Sequence, residues 1–183
     1  MAKGNFDPCL KEILLHEGGF INNPKDPGGM TNLGVTKAVY DDWIGHPVNE
    51  SIMRKLTPQL VTPLYRRKYW DVVRADDLPI GIDLCAFDFA VNAGTNRAAR
   101  YLQRMVGAVQ DGVIGPKTIS MIQQFCRSNQ HIMTVMRYQD MRREYYGQLN
   151  TFKTFGRGWL RRVDEVEKTA IGMIKKSNLD TKT

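Results

Sequence analysis

Leu15-His-Glu-Gly-Gly-Phe20, running on through Asn22-Asn-Pro-Lys-Asp-Pro-Gly-Gly29 to Thr31 and Gly34-Val-Thr36, is the stretch on which the fold turns. Upstream of it, Cys9, Leu10, Ile13 and Leu14 recur at helical spacing behind Asp7-Pro8, a capping residue followed by proline at the first helical position. Residues 8–17 are therefore predicted as a short helix that stops at Gly18-Gly19. Residues 18–35 read as a loop, because Asn22-Asn-Pro and Asp26-Pro-Gly-Gly are turn sequences. Any small β-hairpin is expected here, since the later chain has few strand patterns. The glycines imply a backbone that needs positive φ or approaches something closely.

Downstream the pattern is helical. Thr36 caps a second helix through Ile44, and Gly45-His-Pro47 ends it. Residues 49–56 read as one or two helical turns. Thr57-Pro58 and Thr62-Pro63 both fit the start of the helix ending at Tyr69-Trp70. Residues 80–92 are the most apolar stretch, of a length that suits a buried central helix better than a strand. Thr95 opens the next helix, to Val106, and Asp111-Gly-Val-Ile-Gly-Pro-Lys-Thr118 reads as a turn leading into a helix over 116–127. Two amphipathic helices, 130–147 and 158–176, are separated by a Gly-rich aromatic link from Phe152 to Trp159. The tail from Ser177 is expected to fray. The fold class is mainly α, with seven to nine helices and a loop or small hairpin near the N-terminus.

A chain of 183 residues suits one domain, or one domain with a small appendage, and buries a core without staples. A net charge of +7 favours a polyanionic partner, with nucleic acid, anionic lipid and bacterial wall as candidates. Cys9, Cys85 and Cys126 are odd in number and lie in apolar helical patterns, so they read as buried thiols. His16, His46 and His131 have no metal-ligand spacing to one another or to cysteine, so neither a metal nor a cofactor is expected. Met1-Ala-Lys-Gly-Asn-Phe has no apolar signal region, and no run is long enough to span a membrane, so synthesis in the cytoplasm is expected.

Two carboxyls of different environment are what glycosidic cleavage requires. Glu17 falls at a helix C-terminus, where carbonyl dipoles disfavour a negative charge. A carboxylic acid kept protonated there can hand its proton to a glycosidic oxygen. Asp26, in a loop rich in backbone N–H groups, suits an ionised partner that holds a water, and Thr31 offers a second hydrogen bond to that water. Taken singly, Glu-Gly-Gly is more often a mere helix end, and Asp-Pro-Gly a common turn. Their ordered combination carries more weight.

That combination, Glu17-Gly-Gly-Phe, Asp26-Pro-Gly-Gly, Thr31 and Gly34-Val-Thr36, resembles the N-terminal signature of glycoside hydrolase family 108, phage and prophage N-acetylmuramidases. The family often has tyrosine where Phe20 stands. The resemblance continues through Tyr65-Arg-Arg-Lys-Tyr-Trp70, Phe87-Asp-Phe-Ala-Val-Asn-Ala-Gly94, Ala98-Ala-Arg-Tyr-Leu-Gln103 and the Asp111–Thr118 turn, where it is similar to the peptidoglycan-binding module that follows in this family. It covers roughly residues 8–177. It implies a lysozyme-like α+β fold with the hairpin lining the catalytic cleft, and cleavage of the β-1,4 bond between N-acetylmuramic acid and N-acetylglucosamine. It implies a catalytic segment over 1–94 and a peptidoglycan-binding-like segment over 95–177, which physically could equally pack as the second lobe of one globular unit, and residues 178–183 read as a flexible tail. The catalytic glutamate maps onto Glu17. The spacing of Glu17, Asp26 and Thr31 is also similar to the triad of T-even phage lysozymes, one residue shorter in the last gap, which assigns Asp26 and Thr31 to the attacking water.

Gly29, Tyr69, Trp70 and Asn92 are the candidates for substrate contact. Gly29 would bring backbone close to the sugar. Tyr69 and Trp70 end a helix beside a basic run, where aromatics are more often core than sugar platforms. Asp88 and Asn92 lie one turn apart on an apolar helix and need partners. Arg142-Arg143 and Arg161-Arg162 read as solvated surface. The expected partner is peptidoglycan, with lipopolysaccharide as a further target of the basic surface. No nucleic-acid module is evident, and a monomer is expected. Without a signal, release to the periplasm would depend on a holin, as in the family. Two other functions compete: a lytic transglycosylase, against which Asp26 and Thr31 speak, and a non-catalytic basic wall-binding module, against which Glu17 speaks.

Overall fold

The computed structural model describes residues 4–22, 29–127 and 130–180. They form two compact units, one of Asp7–Lys68 and the other of Met1–Phe6 with Tyr69–Thr183.

The smaller unit takes all but the first residue of α1 (Phe6–His16), then β1 (Ile21–Asn22), β2 (Met30–Asn32), β3 (Val35–Thr36), α2 (Lys37–Ile44), α3 (Glu50–Arg54) and α4 (Pro58–Tyr65). The strands form an antiparallel meander in the order β1-β2-β3, with Thr31 opposite both Ile21 and Thr36, and Asn32 opposite Val35. The hairpin expected between residues 18 and 35 is thus present. Strand alternation puts Asn32 and Val35 on the buried face, where the Asn32 amide donates to the Met53 carbonyl at 2.8 Å. Thr31 and Thr36 share the other face. Thr36 then caps α2, accepting from the Val39 N–H, and Gly45 ends that helix in the left-handed region.

Of the two proline signals, Thr57-Pro58 starts α4: the Thr57 hydroxyl accepts from the Leu60 N–H. Pro63 lies inside the helix, and one residue after Tyr65 the chain widens into a π turn over Arg66–Trp70. A proline that removes a ladder donor and a π turn that shifts the ladder by one residue occur within two helical turns of each other.

The larger unit is built round α5 (Ile82–Ala93), with α6 (Thr95–Val106), α7 (Pro116–Phe125), α8 (His131–Gly147) and α9 (Phe152–Asp180). Every residue from 81 to 90 is buried, and α5 packs against α6, α8 and α9. Gly81 (φ +84°) opens it at close quarters: a Cβ there would lie 3.0 Å from the Ala170 carbonyl oxygen of α9. The link expected between Phe152 and Trp159 is helical instead, and α9 runs through it. Gly156 does not break the helix; it makes room, since a Cβ there would stand 2.5 Å from the Phe152 ring. In the Asp111–Thr118 turn, Asp111 Oδ1 accepts from the Val113 N–H and from Gln103 Nε2, and the Gly112 N–H donates to Gln103 Oε1. Gly112 needs its positive φ of +82°; Gly115 has ordinary φ and open space.

Candidate active site

Glu17 follows the last residue of α1 and is half-buried. What positions it is the turn between β2 and β3. Leu33 and Gly34 have φ of +49° and +72°, the pair of left-handed residues that a two-residue type I′ hairpin needs. For leucine that conformation is strained, and two hydrogen bonds hold it. The Leu33 N–H donates to the Gly18 carbonyl at 3.1 Å, and the Tyr65 hydroxyl donates to the Leu33 carbonyl at 2.8 Å. The Leu33 side chain lines an apolar depression together with Leu10, Leu14 and Pro58, which helps to offset the strain.

The turn then presents Gly34 edge-on to the carboxylate. A Cβ on Gly34 would lie 2.6 Å from Glu17 Oε2 and 2.6 Å from the Tyr65 hydroxyl oxygen. Only a residue without a side chain lets the carboxylate and the phenol crowd one point over the backbone. Gly34 therefore answers to both reasons for glycine, positive φ and close approach. Gly29 (φ +62°) answers to φ alone, since a Cβ there would meet nothing within 4 Å. Phe20, on the chain leaving Glu17, lies under the Arg54 guanidinium at 4.1 Å, and Arg54 in turn pairs with Glu50.

Thr31 sits half-buried on the middle strand. Asp26 lies outside the described residues. Tyr69, half-buried, and Trp70 belong to the larger unit. Trp70 has no exposed surface: its indole meets Phe6 edge-on at 5.4 Å and Phe87 at 5.3 Å. A ring with both faces covered has none to offer a sugar, so Trp70 is core and not a substrate contact.

Asn92 is exposed at the end of α5 and is tied inward through α8 and α9. Asp88, one turn earlier and fully buried, pairs with Arg142 at 2.6 Å and with Arg162 at 2.8 Å. Burial alone would push the Asp88 carboxyl up; the two guanidinium charges outweigh it and hold it below the ordinary carboxylate range. Arg142 Nε donates to the Tyr146 hydroxyl at 3.0 Å, and that hydroxyl donates to Asn92 Oδ1. Arg142 has no exposed surface and Arg162 keeps 11 % of its side chain exposed, so neither is the solvated residue expected from its basic pair. The signal was there: Val135, Tyr138, Arg142 and Tyr146 fall on one helical stripe, and all are buried. Tyr65 was missed in the same way, as one more member of the apolar stripe of α4.

Among the described residues, no group of three His, Cys, Asp or Glu is placed to hold a metal, and no helix is long and apolar enough to cross a membrane.

Comparison with known proteins places this arrangement. Residues 10–94 match the family Glycosyl hydrolase 108, and residues 97–164 match the family described as "Predicted Peptidoglycan domain". No curated protein sequence matches the chain. Among solved structures, Brucella abortus SagA is similar with a TM-score of 0.83 and 39 % identity, over 94 % of this chain and 97 % of that one. Glu17, Gly34 and Tyr65 fall within the first match, and the relay from Asp88 to Tyr146 spans both. The two family matches agree on a glycoside hydrolase directed at peptidoglycan, and with the full-length likeness the chain belongs to the glycosyl hydrolase 108 family.

Proposed function

We propose that the protein is an N-acetylmuramidase that cleaves the β-1,4 bond from N-acetylmuramic acid to N-acetylglucosamine, with Glu17 as general acid. The observation that carries this reading is the seating of Glu17: a carboxyl at the end of α1, set against Gly34 and the Tyr65 hydroxyl. A proton from Glu17 goes to the glycosidic oxygen as the bond to the anomeric carbon breaks. Water adds to that carbon, and Asp26 takes a proton from it while Thr31 accepts or donates one further hydrogen bond. The anomeric carbon inverts, because a water held between acid and base requires a single displacement. The physiological role is that of an endolysin. It is made in the cytoplasm, passes a holin-dependent lesion and digests the wall from the periplasm during host lysis. Its net charge of +7 supports attraction to anionic wall and lipopolysaccharide.

The test is turbidity loss of peptidoglycan-exposed cells, with analysis of the ends formed. Wild type should release reducing muramic ends, first as the α-anomer by rapid NMR. Glu17→Gln should fold normally and lose about 10²–10⁴-fold in rate, the usual share of a general acid. Activity within a few-fold of wild type would remove Glu17 from the reaction. Products with 1,6-anhydromuramic ends would make the enzyme a lytic transglycosylase, and a β-anomer as first product would make Asp26 a nucleophile.

A further inference from the structure

The buried ionic cluster of the larger unit is more elaborate than packing needs, and it ends at the surface. Arg142 has only donors, so the Tyr146 oxygen accepts from its Nε. The phenol has one proton, and that proton points to Asn92 Oδ1. Burial raises the Tyr146 hydroxyl above its ordinary value, even with Arg142 beside it, so the phenol keeps this proton at neutral pH. The direction of each bond is thereby forced. Asp88 fixes Arg142, Arg142 fixes the Tyr146 hydroxyl, and the hydroxyl fixes the amide of Asn92 with its oxygen inward. The –NH2 of Asn92, which makes no hydrogen bond to the described residues, is left as an oriented pair of donors on an exposed residue.

Tyr146, bonded to Asn92, begins a row of rings. Tyr146 packs on Trp159 at 5.3 Å and 33°, and Trp159 on Phe155 at 5.8 Å and 34°. Trp159 is half-buried and Phe155 is 53 % exposed. Trp159 lies one turn before Arg162 on α9, so the ion pair that anchors Asp88 also fixes this row. Donors without a paired acceptor, joined through Tyr146 to a half-buried indole and an exposed phenyl ring, suit a ligand that presents a carbonyl oxygen and an apolar face together. The acetamido group on a pyranose has both.

We infer that Asn92, Trp159 and Phe155 form a binding subsite for an N-acetylated hexosamine of the glycan strand, with Tyr146, Arg142 and Asp88 as its positioning residues. This rests on the reading of the chain as a peptidoglycan hydrolase. Recognition is carried by the Asn92 –NH2 donating to the acetamido carbonyl, and affinity by the sugar face on Phe155 and Trp159.

The test uses the full chain carrying Glu17→Gln, so that sugar is bound without turnover. Triacetylchitotriose and cellotriose, which lacks the acetamido groups, are titrated while NMR follows the side-chain amide of Asn92 and the indole N–H of Trp159. Chitotriose should shift both signals saturably and bind at least about ten-fold tighter than cellotriose, the worth of one good hydrogen bond. Asn92→Asp keeps an acceptor for Tyr146 and removes the donors; it should abolish the preference with an unchanged melting temperature. Phe155→Ala should weaken both sugars alike. Tyr146→Phe should lower the preference while leaving cellotriose affinity in place, which a merely structural residue would not do. Absence of chitotriose shifts at tens of millimolar in the parent, or an intact preference in Asn92→Asp, would overturn the subsite. Lytic activity surviving in Glu17→Gln would instead overturn the general-acid assignment and leave the sugar titration standing.

Discussion

The carboxylate of Glu17 owes its position to a residue with no side chain. At Gly34, φ of +72° would cost an L-residue roughly 1–2 kcal/mol, and the Cβ would also overlap Glu17 Oε2 and the Tyr65 hydroxyl at 2.6 Å. Gly34→Ala is therefore expected to act on the site beyond its effect on stability, since a displacement of about 1 Å at a reacting group can cost 10²-fold. Gly45→Ala supplies the comparison: it shares the strain, at φ +87°, but meets nothing within 4 Å. Both variants should lower the melting temperature; only Gly34→Ala should lose at least ten-fold in lytic rate, measured well below its own transition. Equal rates in the two variants would show that the close approach to Glu17 is unimportant. The sequence made Gly34 visible as a turn residue, and Glu17 as a helix end. It did not show that the two meet, because the turn reaches Glu17 through Leu33, a residue type with no turn signal.

Helix α5 shows the same division at the scale of an element. Its existence and burial follow from thirteen largely apolar residues, and the capping residue Thr36 likewise declares α2, whereas the sequence leaves the start of α4 open between Thr57 and Thr62 and the structure places it at Thr57. Partners 54 and 74 residues away, Arg142 and Arg162, leave no local pattern around Asp88. The acids of α5 also differ in what surrounds them. Asp83 has no cationic partner among the described residues; burial raises it to about 6, against the hydrogen bonds from Asn5, Leu84 and Gly81. With a folded value above the unfolded 3.8, the native state binds the extra proton between these limits, so stability is lost as pH rises from about 4 to about 6. The difference amounts to about 3 kcal/mol at most. Urea melts of wild type and Asp83→Asn between pH 4 and pH 7 should show wild type losing ground to the variant over that window. A difference that stays flat with pH would mean that the hydrogen bonds outweigh burial. Asp88 should behave oppositely, because its pairing with Arg142 holds it ionised; removing one partner of so buried a pair costs about 3–5 kcal/mol.

At the scale of the molecule, the compact units and the family boundaries do not coincide. The two family matches meet between residues 94 and 97, where the sequence also suggested the division. The chain instead separates into compact units at Lys68, inside the π turn, and α5 lies in the same unit as α6, α8 and α9. The segment that matches the hydrolase family therefore ends in a helix that packs against α6, α8 and α9 of the segment after it. Phe89 is fully buried among Tyr101, Tyr138, Tyr145 and Tyr146 and would be laid partly open if residues 95–183 were removed, at about 1.5–3 kcal/mol for a side chain wholly exposed. Asp88 would lose both guanidinium partners as well. With about 3–5 kcal/mol for an unpaired buried charge, such losses are comparable to the usual stability of a small domain, about 5–15 kcal/mol. Residues 1–94 expressed alone are thus expected to be insoluble, or to lack a cooperative melt and lytic activity, whereas 1–180 should match the full chain in both. Circular dichroism melts and turbidity assays on the two truncations would decide. A folded, lytic 1–94 would mean that the family boundary is also a physical one, and that α6, α8 and α9 are not needed to hold α5.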